Sequence, residues 1–500
     1  MKKMKKVISL LLAVAMILSL AACSKEESNS GNSNTDSNTS TSTSNNSGST
    51  EKAPAAHVDE KSSDDVVANA VSKGEKLVIW TLAKDLEQFA DRYSTKTGVQ
   101  TEVIVIEPGD YPTKLQTAIM GGEKEPDIVV GEPQMLPDFF DNGFFADLDA
   151  LGASNYEGQI VDYVWEVGKD SNGTTRAISY QITPAGFFYR RDIAEKVFGT
   201  SDSEKIADIF SSYDKILEAG RKLKEAGYRI FASDSELNYF SGDSAWVIDG
   251  KLNVDKARFD YMDMVVKLYQ EDLTAYAAQW STPWYQAMSG PVPVLTADLQ
   301  WGDWGTDENG NTNLNIWDAE NFKENVGKYT DTYAEVFAFG LPAWGVLTMR
   351  DNYGDTAGKW GICAGPAYGF GGGTFIGISE LSAKKDLAWD FIKFCTLNEE
   401  TADWWIKTSE GDTVSLKSAL EKHKDDTNPT YGDQKVYAMW LKLAEGIDYS
   451  KVTKYDTEIG NAWGNAISKI KTGEATRDDA IKEFYDVVES TFAGEIVVER

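Results

Sequence analysis

Only two histidines, His57 and His423, occur in 500 residues. A histidine-based metal centre or a Ser-His-Asp triad therefore has almost no material, since both need an imidazole held among specific partners. The 15 tryptophans contrast with that scarcity, and every one lies at or after Trp80. An indole offers a flat apolar face and one N–H donor, which suits it to cover a ligand ring while holding one oxygen. Carboxylates are plentiful, with 79 Asp and Glu. Two of them across a cleft would suffice for glycoside hydrolysis, so counting neither finds nor excludes such a pair. No catalytic residue is assigned, and neither a metal nor a cofactor is expected. The formal net charge of -30 argues against nucleic acid, whose phosphates need Lys and Arg to displace counterions. It suits neutral or cationic solutes instead.

Two stretches, one rich in side-chain oxygens and one in glycine, bear on metal and phosphate binding. Asp307, Asn309, Asn311, Asn313 and Asp318 alternate like a calcium loop, but Gly310 is not at its sixth position and the closing bidentate Glu is missing. A turn around Asn309-Gly310 is the better reading. Gly371-Gly372-Gly373 lets backbone approach a ligand or provides a hinge. No Lys-Ser/Thr follows it, so it is not a phosphate loop.

The start of the chain addresses it outward. Lys2, Lys3, Lys5 and Lys6 precede an apolar run over 7–20, then Ala21-Ala22-Cys23. That order is a secretory signal, here over 1–22, too short for a comfortable membrane span. Its end resembles the bacterial lipobox, which implies lipidation at Cys23 and a place on the extracellular face of the cell membrane, held through an N-terminal lipid only. Residues 24–50 are nearly all Ser, Asn, Thr and Gly with a few charges; they have no apolar surface to offset ordering entropy, so 23–73 reads as a tether. Cys363 and Cys395 show no spacing signature. Cys395 falls on the apolar face of a helix and reads as a buried free thiol.

The chain after the tether exceeds the size of one core, so two lobes are expected. Residues 77–80, 99–106 and 126–130 read as strands, with helical spacing over 85–94 and 111–120 between them. Strand, helix, strand, helix, strand implies an α/β fold with a mostly parallel sheet. Ligands of such sheets sit beyond the carboxyl ends of the strands, which singles out Lys84, Asp85 and Glu132. Two extended runs, 177–180 and 186–189, follow. A long helical region over 206–223 closes at Gly227, and 279–305 is rich in Trp, Pro and Gly and reads as irregular. Strand-like 360–364 and 374–378 and an amphipathic helix over 387–395 complete the pattern.

An ordered series of these segments resembles the family 1 extracellular solute-binding proteins, the maltose-binding-protein-like sugar receptors of ABC importers. The series runs from Leu77-Val78-Ile79-Trp80 through Glu125-Pro126-Asp127-Ile128-Val129-Val130, Asn142-Gly143-Phe144-Phe145, Phe188-Tyr189-Arg190-Arg191-Asp192 and Gly358-Lys359-Trp360-Gly361 to Ala388-Trp389-Asp390-Phe391. The resemblance implies a two-lobed, type II binding-protein fold with mixed, mostly parallel sheets and a hinged cleft. Lobe 1 would hold 74–183 and 371–400, and lobe 2 would hold 184–370 and 401–500, with crossings near 180–186 and 371–374. It implies no enzyme, and a monomer that serves the transmembrane subunits of an ABC permease. Trp301 takes the place of a sugar-stacking residue, with Trp304 and Asp298 beside it, and Trp463 that of another aromatic. Tyr180 at the crossing and Gly372 in the glycine run join Lys84, Asp85 and Glu132 as ligand contacts; Trp280 and Trp284 are considered with them. The ligand is expected to be an uncharged carbohydrate, an oligosaccharide rather than a monosaccharide. A cationic solute or peptide, or a secreted glycoside hydrolase, are the alternatives. The family's aromatic-bearing dipeptide after the third strand is replaced by Gly131-Glu132, and 307–315 and 344–355 look inserted, so ligand identity does not carry over.

Overall fold

The structure is a computed structural model that describes residues 57–295 and 330–500. Strand β1 (Lys76–Thr81) buries Leu77, Val78 and Ile79 and pairs in parallel with β2 (Gln100–Val105), Lys76 opposite Gln100 and Thr81 opposite Val105. The helix between them, Leu86–Thr97, buries Leu86, Phe89, Ala90 and Tyr93 on one face and stops at Gly98, whose φ of 78° needs no Cβ. Strand β3 (Ile128–Gly131) is buried throughout and lies parallel to β1. Asp127 fixes its start: the buried carboxylate accepts from Val78 N at 3.0 Å, Ser382 Oγ at 2.7 Å and Lys384 Nζ at 2.8 Å. Strand β4 is Ala177–Ser179.

The second lobe is built on β5 (Ala185–Arg190), β6 (Arg229–Phe231), β7 (Val336–Pro342) and β8 (Trp360–Ala364); the chain then returns as β9 (Phe375–Ile378). One sheet has the order β2-β1-β3-β9-β4, the other β8-β5-β7-β6. Both are mixed rather than mostly parallel. β9 runs antiparallel to β3 and β4, and β5 runs antiparallel to β7 and β8. A strand that enters straight from the other sheet has no helical crossover to reverse it, which is what a parallel neighbour requires.

Two other local expectations change. The helical region over 206–223 is two helices, Ser203–Ile209 and Tyr213–Glu225, because Ser212 turns extended and its hydroxyl caps the second at Lys215 N. The stretch read as irregular contains the helix Thr282–Ser289, started by Pro283 in its first turn. Within 344–355 lies the helix Gly345–Asn352.

The N-terminal arm packs on the first sheet's helical layer. Asn155 exchanges two hydrogen bonds with the backbone of Val58, and Glu60 accepts from Lys393 Nζ at 2.8 Å, Trp389 Nε1 at 3.1 Å and Asn155 Nδ2 at 3.1 Å. At the other end, Val497 bridges to Lys251 beside the second sheet's layer. Cys363 and Cys395 are buried and free, as expected for Cys395. Among the described residues no helix is long and apolar enough to cross a membrane.

Candidate ligand cleft

Three backbone segments run side by side where the sheets meet. Gly371 N donates to Thr183 O at 3.2 Å, Thr183 Oγ1 to Gly372 O at 3.2 Å, and Ala185 N to Gly369 O at 2.8 Å. On the other flank Ser415 N donates to Tyr180 O at 2.7 Å and Thr413 Oγ1 to Ile182 O at 2.6 Å. Few residues connect the sheets here, so this bundle is where one lobe can turn against the other.

The carboxyl ends of β1 and β3 open beside it. They are held apart by the Tyr111 phenol, which donates to Trp80 O at 3.2 Å and accepts from Val130 N at 2.9 Å. Lys84 beyond β1 is exposed and makes no ion pair among the described residues. Asp85 is pushed up to about 6 by burial. Burial also pushes Asp412 up to about 7, and the Asp85 charge adds to it. Asp412 is fully buried and accepts from Trp405 Nε1 at 3.0 Å and Thr413 N at 2.8 Å. Asp85 thus faces a second carboxyl at the hinge.

Beyond β3 stands Glu132, opposite the aromatic residues of the second lobe. A Cβ on Gly372 would lie 3.2 Å from Trp344 Nε1 and 4.0 Å from Glu132 Oε1, so the bare glycine lets the two approach. Gly371 is as tight, since a Cβ there would fall 2.2 Å from the Tyr239 ring. Trp344 follows β7 and stacks on Trp280, with ring centroids 5.9 Å apart and planes at 25°. Trp280 is 50% exposed and holds φ at 69°, a conformation costly for a residue with a Cβ. A half-bare indole kept in a strained backbone is a feature found at ligand sites. Behind it, Trp284 is fully buried and donates to Glu236 Oε1 at 2.7 Å, while Gly340 N donates to Oε2 at 2.8 Å. Burial pushes the Glu236 carboxyl up to about 8, against the pull of these two bonds. Glu236 thereby pins the helix that carries Trp284 to β7, and with it both platform indoles.

The expected contacts divide accordingly. Glu132 and Gly372 come together, with Lys84 and Asp85 on the neighbouring strand end. Tyr180 is buried instead, its ring 4.5 Å from Phe89 and 5.7 Å from Trp405. Trp463 is core as well, packed at 4.9 Å on Phe484 and 5.4 Å from Phe259. Its helical neighbours Ile459, Ala462, Ala466 and Ile467 are also buried, a stripe that sequence periodicity could have revealed. Asp298, Trp301, Trp304 and the 307–318 loop lie outside the described residues, as does Cys23. Trp344 and Tyr239 were missed. The available signal for Trp344 was its place just past a buried strand, the same rule that singled out Glu132. A recess of about 740 Å³ lies elsewhere, floored by Cys363 and walled by the helix Val436–Ala444; it shares none of these residues.

The fold is that of known binding proteins. A crystal structure of an extracellular solute-binding protein of family 1 superposes with a TM-score of 0.64 at 18% identity, over 83% of this chain and 99% of that one. The ABC-transporter-associated binding protein from B. animalis subsp. lactis Bl-04, in complex with β-1,6-galactobiose, gives 0.61 at 19% identity, over 85% and 99%. An ABC transporter solute-binding protein from Thermotoga lettingae bound with α-D-tagatose gives 0.61 at 16%, over 82% and 98%. A comparison with curated protein sequences finds no match. The family profile described as "Bacterial extracellular solute-binding protein" matches residues 88–430, more than half of the chain. With two mixed sheets, a three-segment hinge and an aromatic-lined opening between them, the chain belongs to the bacterial extracellular solute-binding proteins.

Proposed function

We propose that this protein is a lipid-anchored receptor that captures a carbohydrate at the cell surface and delivers it to an ABC-type import permease. The observation that carries the reading is the Trp280–Trp344 pair beside Glu132. A pyranose buries its C–H face on an indole and gives its hydroxyls to carboxylates and amides, and this opening offers both. The sugars held by structural relatives, a galactobiose and a tagatose, support the same class. The many tryptophans of the chain, beyond this pair, suit more than one ring, hence an oligosaccharide. Closure about 180–184, 370–374 and 412–416 would follow from the ligand's preference for the closed form. In this reading the expected lobe boundary at 400 moves to the third hinge segment, because Trp405 packs on Phe89 and Tyr180: lobe 1 takes 74–183 and 371–411, and lobe 2 takes 184–370 and the chain beyond 416. The reaction class is binding, so the sugar leaves unchanged.

A thermal-shift screen of sugars, amino acids, polyamines and peptides tests this, because a ligand that binds only the native state raises Tm by mass action. Shifts with sugars that are recovered intact support the receptor. Shifts confined to amino acids, polyamines or peptides would overturn the carbohydrate class, and shortened sugars would overturn the receptor itself. The anchor has its own test: Cys23→Ala should free the protein into the medium or leave it unprocessed, and a processed variant that stays tightly on the membrane would refute it.

A further inference from the structure

We infer that the ring seated on Trp280 and Trp344 belongs to an amino sugar, whose protonated amine pairs with Glu132. This rests on the carbohydrate reading above and narrows it.

Three acids that tie elements of the fold together each receive a donor on both carboxylate oxygens. Asp127 receives Lys384, Ser382 and a backbone N–H. Glu60 receives Lys393, Trp389 and Asn155. Glu236, fully buried, has a donor on each oxygen. Glu132 differs from all three. Gln134 donates to its Oε2, whereas its Oε1 accepts from no described donor and no Lys, Arg or His pairs with it among the described residues. That free oxygen is the one turned toward Gly372 and Trp344, into the opening. The residue is half-buried, and this partial burial raises the carboxyl pKa. A half-buried carboxylate with no cationic partner gains from a cation that brings its own N–H donors.

The walls fit that cation. Trp344 and Tyr239 bracket Gly371 and Gly372, and the half-exposed Trp280 beside them offers an indole face, which attracts an ammonium through the ring quadrupole. Asp85, on the neighbouring strand end, adds negative potential, and the cation beside it, Lys84, is exposed. A simple polyamine would satisfy Glu132 but would leave the broad half-exposed Trp280 surface without a ring to cover. An aminated pyranose uses both.

The test compares one ring skeleton with three substituents. Full-length protein is titrated calorimetrically with glucosamine, galactosamine and the β-1,4-linked glucosamine disaccharide, each beside its N-acetyl and its hydroxyl counterpart. The amines should bind at least tenfold more tightly. That preference should vanish in Glu132→Gln, with Tm kept, and should shrink as salt is raised to about 0.5 M, where exposed charges are screened. The salt series on unaltered protein decides the matter if the variant does not fold. Equal or tighter binding of the neutral sugars, indifferent to Glu132→Gln and to salt, overturns the amino-sugar assignment and leaves the carbohydrate receptor standing. Binding of polyamines or basic peptides with no sugar bound overturns both, and silence across every sugar tested counts against both.

Discussion

The indole N–H of Trp344 donates to the carbonyl of Gly371 at 2.9 Å. Through this bond the platform of the second lobe is attached to the segment that returns to the first. In the proposed receptor, a ligand pressing on the Trp280–Trp344 pair would act directly on the hinge backbone, so that ligand binding and lobe closure would share one part.

Trp280 should carry much of the affinity. Trp280→Ala is expected to weaken sugar binding more than tenfold while moving Tm little, since the ring is 50% exposed and tenfold costs only about 1.4 kcal/mol. Trp284→Ala should do the opposite first. It removes a fully buried indole and strands Glu236, so a loss of about 3–5 kcal/mol in stability is expected from denaturant unfolding. Equal Tm losses for the two would contradict the assignment of one to the ligand and the other to the core.

Gly372→Ala places a Cβ 3.2 Å from Trp344 Nε1 at a residue with φ of 67°. The left-handed backbone costs about 1–2 kcal/mol for any residue with a Cβ, and the new methyl crowds the Trp344 and Glu132 side chains together. Affinity measured by calorimetry should fall by more than the stability loss alone explains. An unchanged affinity would show that this glycine serves only the backbone.

Glu236 should make the protein less stable as pH rises. Its carboxyl titrates at about 8 when folded and near ~4.3 when unfolded. Between those values the folded state keeps a proton that the unfolded state has released, so its contribution is complete below the lower value and lost by the upper one. Glu236→Gln lacks this titration but sets an amide NH2 against the Trp284 or Gly340 donor. It should be less stable at about pH 5, by ~1–3 kcal/mol, and lose less than the parent on going to about pH 8. Parallel Tm curves for the two proteins would disprove the buried proton.

Cys363 and Cys395 are both buried, and burial raises their thiol pKa well above the ordinary value. A thiolate is the reactive form. Both should therefore resist a charged thiol reagent in the native protein and react together in denaturant, which a colorimetric thiol count reads directly.

The first lobe was legible because its elements obey simple periods. Leu86, Phe89, Ala90 and Tyr93 mark one helix face, and β3 is a short apolar run bounded by Pro126 and Pro133. The carboxyl-end rule singles out Glu132 and Asp85, and the structure has them just past the ends of β3 and β1. The second lobe's contribution was harder, since Trp280 and Trp344 meet only after a helix and a strand far apart in the chain have packed together. Composition alone cannot separate them from Trp463, which has the same side chain and a place in the core. The mixed sheet order was hidden for a similar reason, because whether a returning strand runs up or down depends on which sheet it comes from.

The clasp of Glu60 on Lys393, Trp389 and Asn155 has a mechanical meaning. The N-terminal arm is fastened within one rigid half of the molecule, whereas Val497, near the other end, is fastened beside the opposite sheet. Tension applied through the arm is borne by the helix Lys385–Thr396 and never crosses the three hinge segments. Whatever holds the N-terminus, the far half remains free to swing, and the pull itself neither opens nor shuts the cleft.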